Sequence, residues 1–231
     1  MGIDKCWVLR KSVQSLLNAD NRVSKEYAAK LMCEMGLSSI RTTAKKDYLK
    51  LHEPEEKEYS PTAIPADRPN QIGVSDVTCF KLGNHYLYTC MILDLFSCKV
   101  IAYKISKKNS TQLITSTFKI AWEQRTPEAK LIFHSHRGSQ YTSHRFRQLL
   151  HERFIVQSFS NSGKPHDNAV AESFFATFKK EEAYRKNYTS EADFKWRVDS
   201  YIEFYNTQRP HHTLKNLTPC QVEDVFMKGN A

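Results

Sequence analysis

The chain has 231 residues, 26% of them charged and 40% hydrophobic, which excludes a disordered or collagen-like polymer and suits one good-sized core with a small appended module. No apolar stretch approaches the roughly 18 residues of a membrane span, since the most apolar region, Tyr86 to Phe96, is broken by Thr89 and Asp94. The first residues lack the long apolar run of a secretory signal, so the expected setting is intracellular, with no membrane partner. Lys and Arg number 34 against 25 Asp and Glu, a formal balance of +9, which favours a polyanion and puts nucleic acid ahead of an acidic lipid surface. The six cysteines, at 6, 33, 79, 90, 98 and 220, form no C-x-x-C pair. They read as small core residues of a reducing compartment rather than as a zinc module.

Residues 1–52 form a basic helical module: the first 50 residues hold ten Lys or Arg against five acids. Ser24 caps a helix whose apolar positions Val23, Tyr27, Leu31 and Ala28, Met32, Met35 recur at three-to-four spacing until Gly36 ends it. Both a helix-turn-helix arm on DNA and a solvated helix packed on the main domain fit this pattern. Residues 53–70 carry Pro54, Pro61, Pro65 and Pro69 with Glu55, Glu56 and Glu58 and read as an acidic linker. From residue 71 to 228 the pattern is that of a core. Strands are expected over Ile72 to Phe80, Asn84 to Phe96 and Lys99 to Ser106, rich in Val, Ile, Tyr and Thr. A helix capped by Ser110 or Thr111 follows, with Leu113, Ile114, Thr117, Phe118 and Ala121 on one face. Next come a buried strand at Ala129 to His134, a helix from Thr142 or Ser143, and a strand at Phe154 to Phe159. Three strands and then alternating helix and strand predict a mixed sheet flanked by helices.

Two carboxylates stand out. Asp76 falls mid-strand, where aspartate is disfavoured and needs a cation or several donors; a hydrogen bond to a neighbouring loop would also serve. Glu172 lies in a helix read as capped near Asp167. Val170, Ala171, Phe174, Phe175 and Phe178 make the apolar face, and Glu172 and Lys179 lie two turns apart on the other. That pairing suits a metal carboxylate beside a phosphate-binding cation, or equally two solvated surface charges.

With the loop His134-Ser135-His136-Arg137-Gly138-Ser139-Gln140-Tyr141-Thr142-Ser143, the stretch Asn161 to Glu181 and the segment Tyr205-Asn206-Thr207-Gln208-Arg209-Pro210-His211-His212, the chain resembles the OrfB-type insertion-sequence transposases, whose catalytic core is like that of retroviral integrases. The resemblance runs from about residue 20 onward. It implies a ribonuclease H-like α/β fold, a mixed five-stranded sheet flanked by helices, in which two aspartates and a glutamate hold two magnesium or manganese ions. The implied reaction is nicking at the ends of a DNA element, followed by attack of the freed 3′-hydroxyl on target DNA. Further implied are a homo-oligomer on DNA, an upstream-frame helix-turn-helix partner, and a bacterial cytoplasmic, nucleoid-associated setting.

Carried onto this sequence, Asp76 takes the first acidic position and Glu172 the third. Residues 137–171, 35 in all, separate the third from the second position, as in the family pattern, yet the second position is His136. An imidazole offers one softer nitrogen, cannot bridge two ions through two oxygens and brings no negative charge. Metal binding and catalysis are therefore expected to be weak or lost, which leaves open a DNA-binding remnant or a dominant-negative partner of an active copy. His134 and His136 share a face if extended, which raises a rival reading as ligands of a transition metal. Gly73 where the family has Trp, and Cys98 where a basic residue is common, are further departures. Lys179, Arg137, Lys164 and Arg209 are the expected DNA contacts.

Overall fold

The computed structural model describes residues 24–36, 66–127, 131–160 and 169–229. Of the expected N-terminal module, the helix α1, Lys25–Glu34, is present, with Ser24 Oγ accepting from Tyr27 N–H and Gly36 at φ +63° just past its end. The rest of that module, the linker to residue 65 and the expected Asp167 cap lie outside the described residues.

The core starts with β1, Ile72–Leu82, and β2, His85–Asp94, an antiparallel hairpin whose last pair is Leu82 opposite His85. Its two-residue turn needs a left-handed first position, and Gly83 supplies it at φ +55°. β3, Val100–Ser106, pairs antiparallel with β2 and carries a bulge at Ile92/Leu93. The chain then crosses the sheet in α2, Thr111–Arg125, capped by Ser110, and buries the five positions read from its periodicity. β4, Ile132–Ser135, lies parallel to β1; α3, His144–His151, is capped by Ser143; β5, Val156–Phe159, lies parallel to β4. The sheet order is β3-β2-β1-β4-β5, the mixed sheet expected.

β5 begins at Val156 rather than at Phe154, because Phe154 stands at φ +55° and Ile155 N–H still bonds to Leu150 O, closing α3. Beyond the sheet come α4, Ala169–Phe178; a π-turn, Lys179–Ala183; α5, Glu191–Thr207; a 3₁₀ turn, His212–Leu214; and α6, Pro219–Gly229. Periodicity had not set out α5 and α6.

Period-two alternation sends the strands' side chains into two cores. Ile72, Val74, Leu87, Met91 and Leu93 pack with the phenylalanines of α4 and with Phe194, Val198, Tyr201 and Tyr205 of α5. Cys90, Ile92, Ala102 and Phe133 pack on the other face with α2 and α3. The described cysteines form no disulfide, and burial pushes the Cys90 thiol up to about 11. Among the described residues no helix is long and apolar enough to cross a membrane.

Gly73, where the family carries Trp, leaves room. A Cβ there would sit 3.9 Å from Ile92 Cγ2 and 4.0 Å from Leu131 and Phe133, beside a cavity of about 40 Å³ that Phe118 and Ala121 also line. Gly73 has no left-handed φ. Gly73→Ala should therefore stabilise the protein by about 0.5–1 kcal/mol, read as a higher urea midpoint at unchanged m-value; a lower midpoint would show that the strand needs glycine.

Candidate active site

The site is built by strand register. β1 and β4 pair in parallel with Ile72 opposite Ile132 and Ser75 opposite Ser135, so the next residue on each strand, Asp76 and His136, emerges at the same level. His136 Nδ1 lies 3.0 Å from Asp76 Oδ1, and Val77 N–H also donates to that oxygen at 2.8 Å. Asp76 is the better sheltered, with 21% of its side chain exposed against 46% for His136. The hydrogen bond from the imidazole to Asp76 raises the His136 pKa above its ordinary value, partial burial works against this, and the charge of Asp76 adds to it.

Two residues seat the ring. Tyr141, fully buried, meets it edge to face at 5.1 Å between ring centres. Ser75 Oγ donates to Met91 O, so the Tyr141 hydroxyl, 2.8 Å away, donates to Ser75 Oγ. Gly138 gives the space: a Cβ there would fall 2.6 Å from His136 Nε2. The sequence singled out neither contact, because each depends on how the loop after β4 folds back.

Glu172 lies in the first turn of α4 and is exposed, opposite the buried stripe Val170, Ala171, Phe174, Phe175, Phe178. Lys179 does not continue that helix. It is the first residue of the π-turn and is half-buried, and with Phe178 still in the α region the wider spacing begins only beyond it. Arg137 is exposed, its guanidinium 5.8 Å from the centre of the Phe159 ring. Lys164 lies outside the described residues. Arg209 corrects the expectation of a DNA contact: it is 6% exposed, Nη2 and Nε donate to the Glu181 carboxylate at 2.6 and 2.8 Å, and Tyr201 Oη donates to the same group.

The transition-metal reading of His134 also gives way. Its ring is 2% exposed, with Nδ1 3.0 Å from Ser158 Oγ and Nε2 3.1 Å from Ser160 Oγ, so both nitrogens are engaged in the sheet. Magnesium requires hard oxygen ligands in near-octahedral geometry. Here one oxygen of Asp76 is taken by an imidazole N–H, and among the described residues no three Asp, Glu, His or Cys side chains gather as a metal site. The described residues, with His136 on the Asp76 carboxylate, do not fit the two-ion centre implied by the sequence resemblance.

Residues 66–165 and 153–219 both match the integrase core domain family. The chain is 33% identical over 191 residues to the InsK protein of insertion sequence element IS150 from Escherichia coli (strain K12), covering 81% of this chain and 68% of that one. It belongs to the insertion-sequence transposases. A transposase for insertion sequence element IS629 from Shigella sonnei is 26% identical over 228 residues, 96% of this chain and 75% of the relative. The fold of this transposase is the ribonuclease H-like one. The HTLV-2 integrase catalytic core domain, solved in complex with magnesium, superposes with a TM-score of 0.55 at 18% identity over 69% of this chain and 99% of that core. The catalytic domain of the Mos1 mariner transposase does so at 0.50 and 15%, over 58% and 70%.

Two outcomes follow from the seat of His136. Because its folded pKa is raised, the pair's stabilisation is complete below the free imidazole value of about 6.5 and is lost as pH rises through the folded value. The melting-temperature gap between the wild type and His136→Ala should thus be wider at acid than at alkaline pH; a gap that widens on the alkaline side would contradict the ion pair. Gly138→Ala should push the ring off Asp76 while leaving the fold intact, returning the His136 pKa by NMR titration toward about 6.5. A pKa that stays raised would show that the ring has another way to reach Asp76.

Proposed function

We propose that this transposase binds the ends of its element and target DNA as an oligomer in the bacterial cytoplasm, on the nucleoid, and that nicking and strand transfer are impaired at His136. The observation that carries this reading is the 3.0 Å contact of His136 Nδ1 with Asp76 Oδ1. A protonated imidazole there neutralises the carboxylate locally, where a divalent ion would need it free. Glu172 lies on the exposed face of α4, and the imidazole cannot bridge two ions as a carboxylate does. The basic balance of +9 is unaffected by this pair, so DNA binding is the activity most expected to persist. An upstream-frame helix-turn-helix protein is a candidate partner in recognising element ends.

The same contact favours a second reading, a DNA-binding protein without catalysis that joins active copies at element ends. His136→Asp separates the two. Restoring a carboxylate at unchanged spacing to Glu172 should give nicking of an element-end duplex with magnesium or manganese where the wild type gives little. A variant that folds and binds DNA but stays inert with both metals leaves the non-catalytic reading. In either case DNA affinity should fall with salt, log K against log salt having a slope steeper than about −2, at roughly −0.9 per phosphate neutralised. Binding that ignores salt would remove both readings.

A further inference from the structure

The turn that ends α3 holds Phe154 in the left-handed region at φ +55°, an arrangement costly for a bulky side chain. The position is set by helix termination: Phe154 N–H bonds to His151 O and Ile155 N–H to Leu150 O, where glycine is the ordinary choice. Core packing does not account for the strain, since the ring is 86% exposed, and Val156 beside it is 53% exposed. A large aromatic ring held out in solvent by an unfavourable backbone points to a role outside the fold.

Its surroundings state the chemistry. α3 turns His144, Arg147 and His151 outward on one stripe, at i, i+3 and i+7, with exposed Arg145 alongside. Glu152, an acid next to them, accepts from Gln148 Nε2 at 3.0 Å. Arg153 is fixed at the foot of the turn, its guanidinium 5.6 Å over the Trp122 ring and Nη1 donating to Leu149 O. The helix starts just after the Gly138–Tyr141 loop that seats His136 and runs about 12 Å to the Phe154 turn. That is about the rise of three or four base pairs at 3.4 Å each.

We infer that α3 and the Phe154 turn dock a flanking stretch of DNA leading away from the Asp76–His136 pair, with Arg145 and Arg147 on phosphates and the Phe154 ring wedged into a base step. The inference rests on the DNA reading above. Local charge favours a polyanion over a second copy of the chain at this turn, because the exposed Arg145 and Arg147 beside it attract phosphates.

The variant Phe154→Gly makes the test clean because it relieves the strain. It should melt about 2–4 °C higher than the wild type and yet bind an element-end duplex of about 30 base pairs roughly tenfold more weakly in fluorescence anisotropy. Its salt slope should be unchanged, since the ring carries no charge. Phe154→Tyr should keep wild-type affinity, and Arg147→Ala should flatten the slope by about one unit. Wild-type affinity in a properly folded Phe154→Gly protein overturns the inference and leaves DNA binding itself standing. A weakened binding accompanied by a change in sedimentation also overturns it, by making the turn a contact between copies. A wild type that binds no DNA removes this inference together with the reading beneath it.

Discussion

The parallel pairing of β1 with β4 is the constraint on which the site depends. Its register ends at Ser75 opposite Ser135, and the first residues past it are Asp76 and His136, 60 positions apart in the chain and 3.0 Å apart in space. A slip of one residue would turn every alternate side chain to the other face. The register is held by Ile72 and Val74 in one core and Phe133 in the other. The hydrophobic pattern of four short strand positions thereby decides which polar groups meet at their ends.

The C-terminal third closes one side of this sheet with polar as well as apolar contacts. Asn206 of α5 offers Oδ1 to Val100 N–H and donates Nδ2–H to Val100 O, standing in for a neighbouring strand at the open edge of β3. Arg209 and Tyr201 fasten Glu181 of the π-turn, which ties the end of α4 to α5. At the far end, the Ser97 hydroxyl lies 3.0 Å from Asp94 Oδ1 and 2.9 Å from Glu223 Oε1, and Glu223 also meets Lys99 and Arg125. Burial holds the Asp94 carboxyl above the ordinary carboxylate range, despite hydrogen bonds from Ser97 and Asn70. Such buried polar clusters fix geometry more than they add stability. Arg209, expected on DNA, is spent entirely inside.

Strand and helix positions were legible where local rules suffice. Ser24, Ser110 and Ser143 each accept from an N–H three residues on, as N-caps do. The buried stripes of α2 and α4 follow the helical period. A local rule is interrupted at Phe154, where helix termination holds an expected strand residue in a left-handed turn. α5 escaped the sequence reading because its buried set, from Phe194 to Asn206, includes tyrosines and an asparagine whose place inside depends on partners distant in sequence.

The sequence by itself determined the family, the order of strands and helices as far as α4, and the presence of histidine in an acidic position, because these are properties of residue types and their spacing. Only the tertiary structure decided that His136 bonds to Asp76 and needs Gly138 beneath it, that Arg209 is interior, and that Phe154 faces solvent. Each depends on a distance or a backbone angle set by strand register and helix termination, which spacing along the chain does not encode.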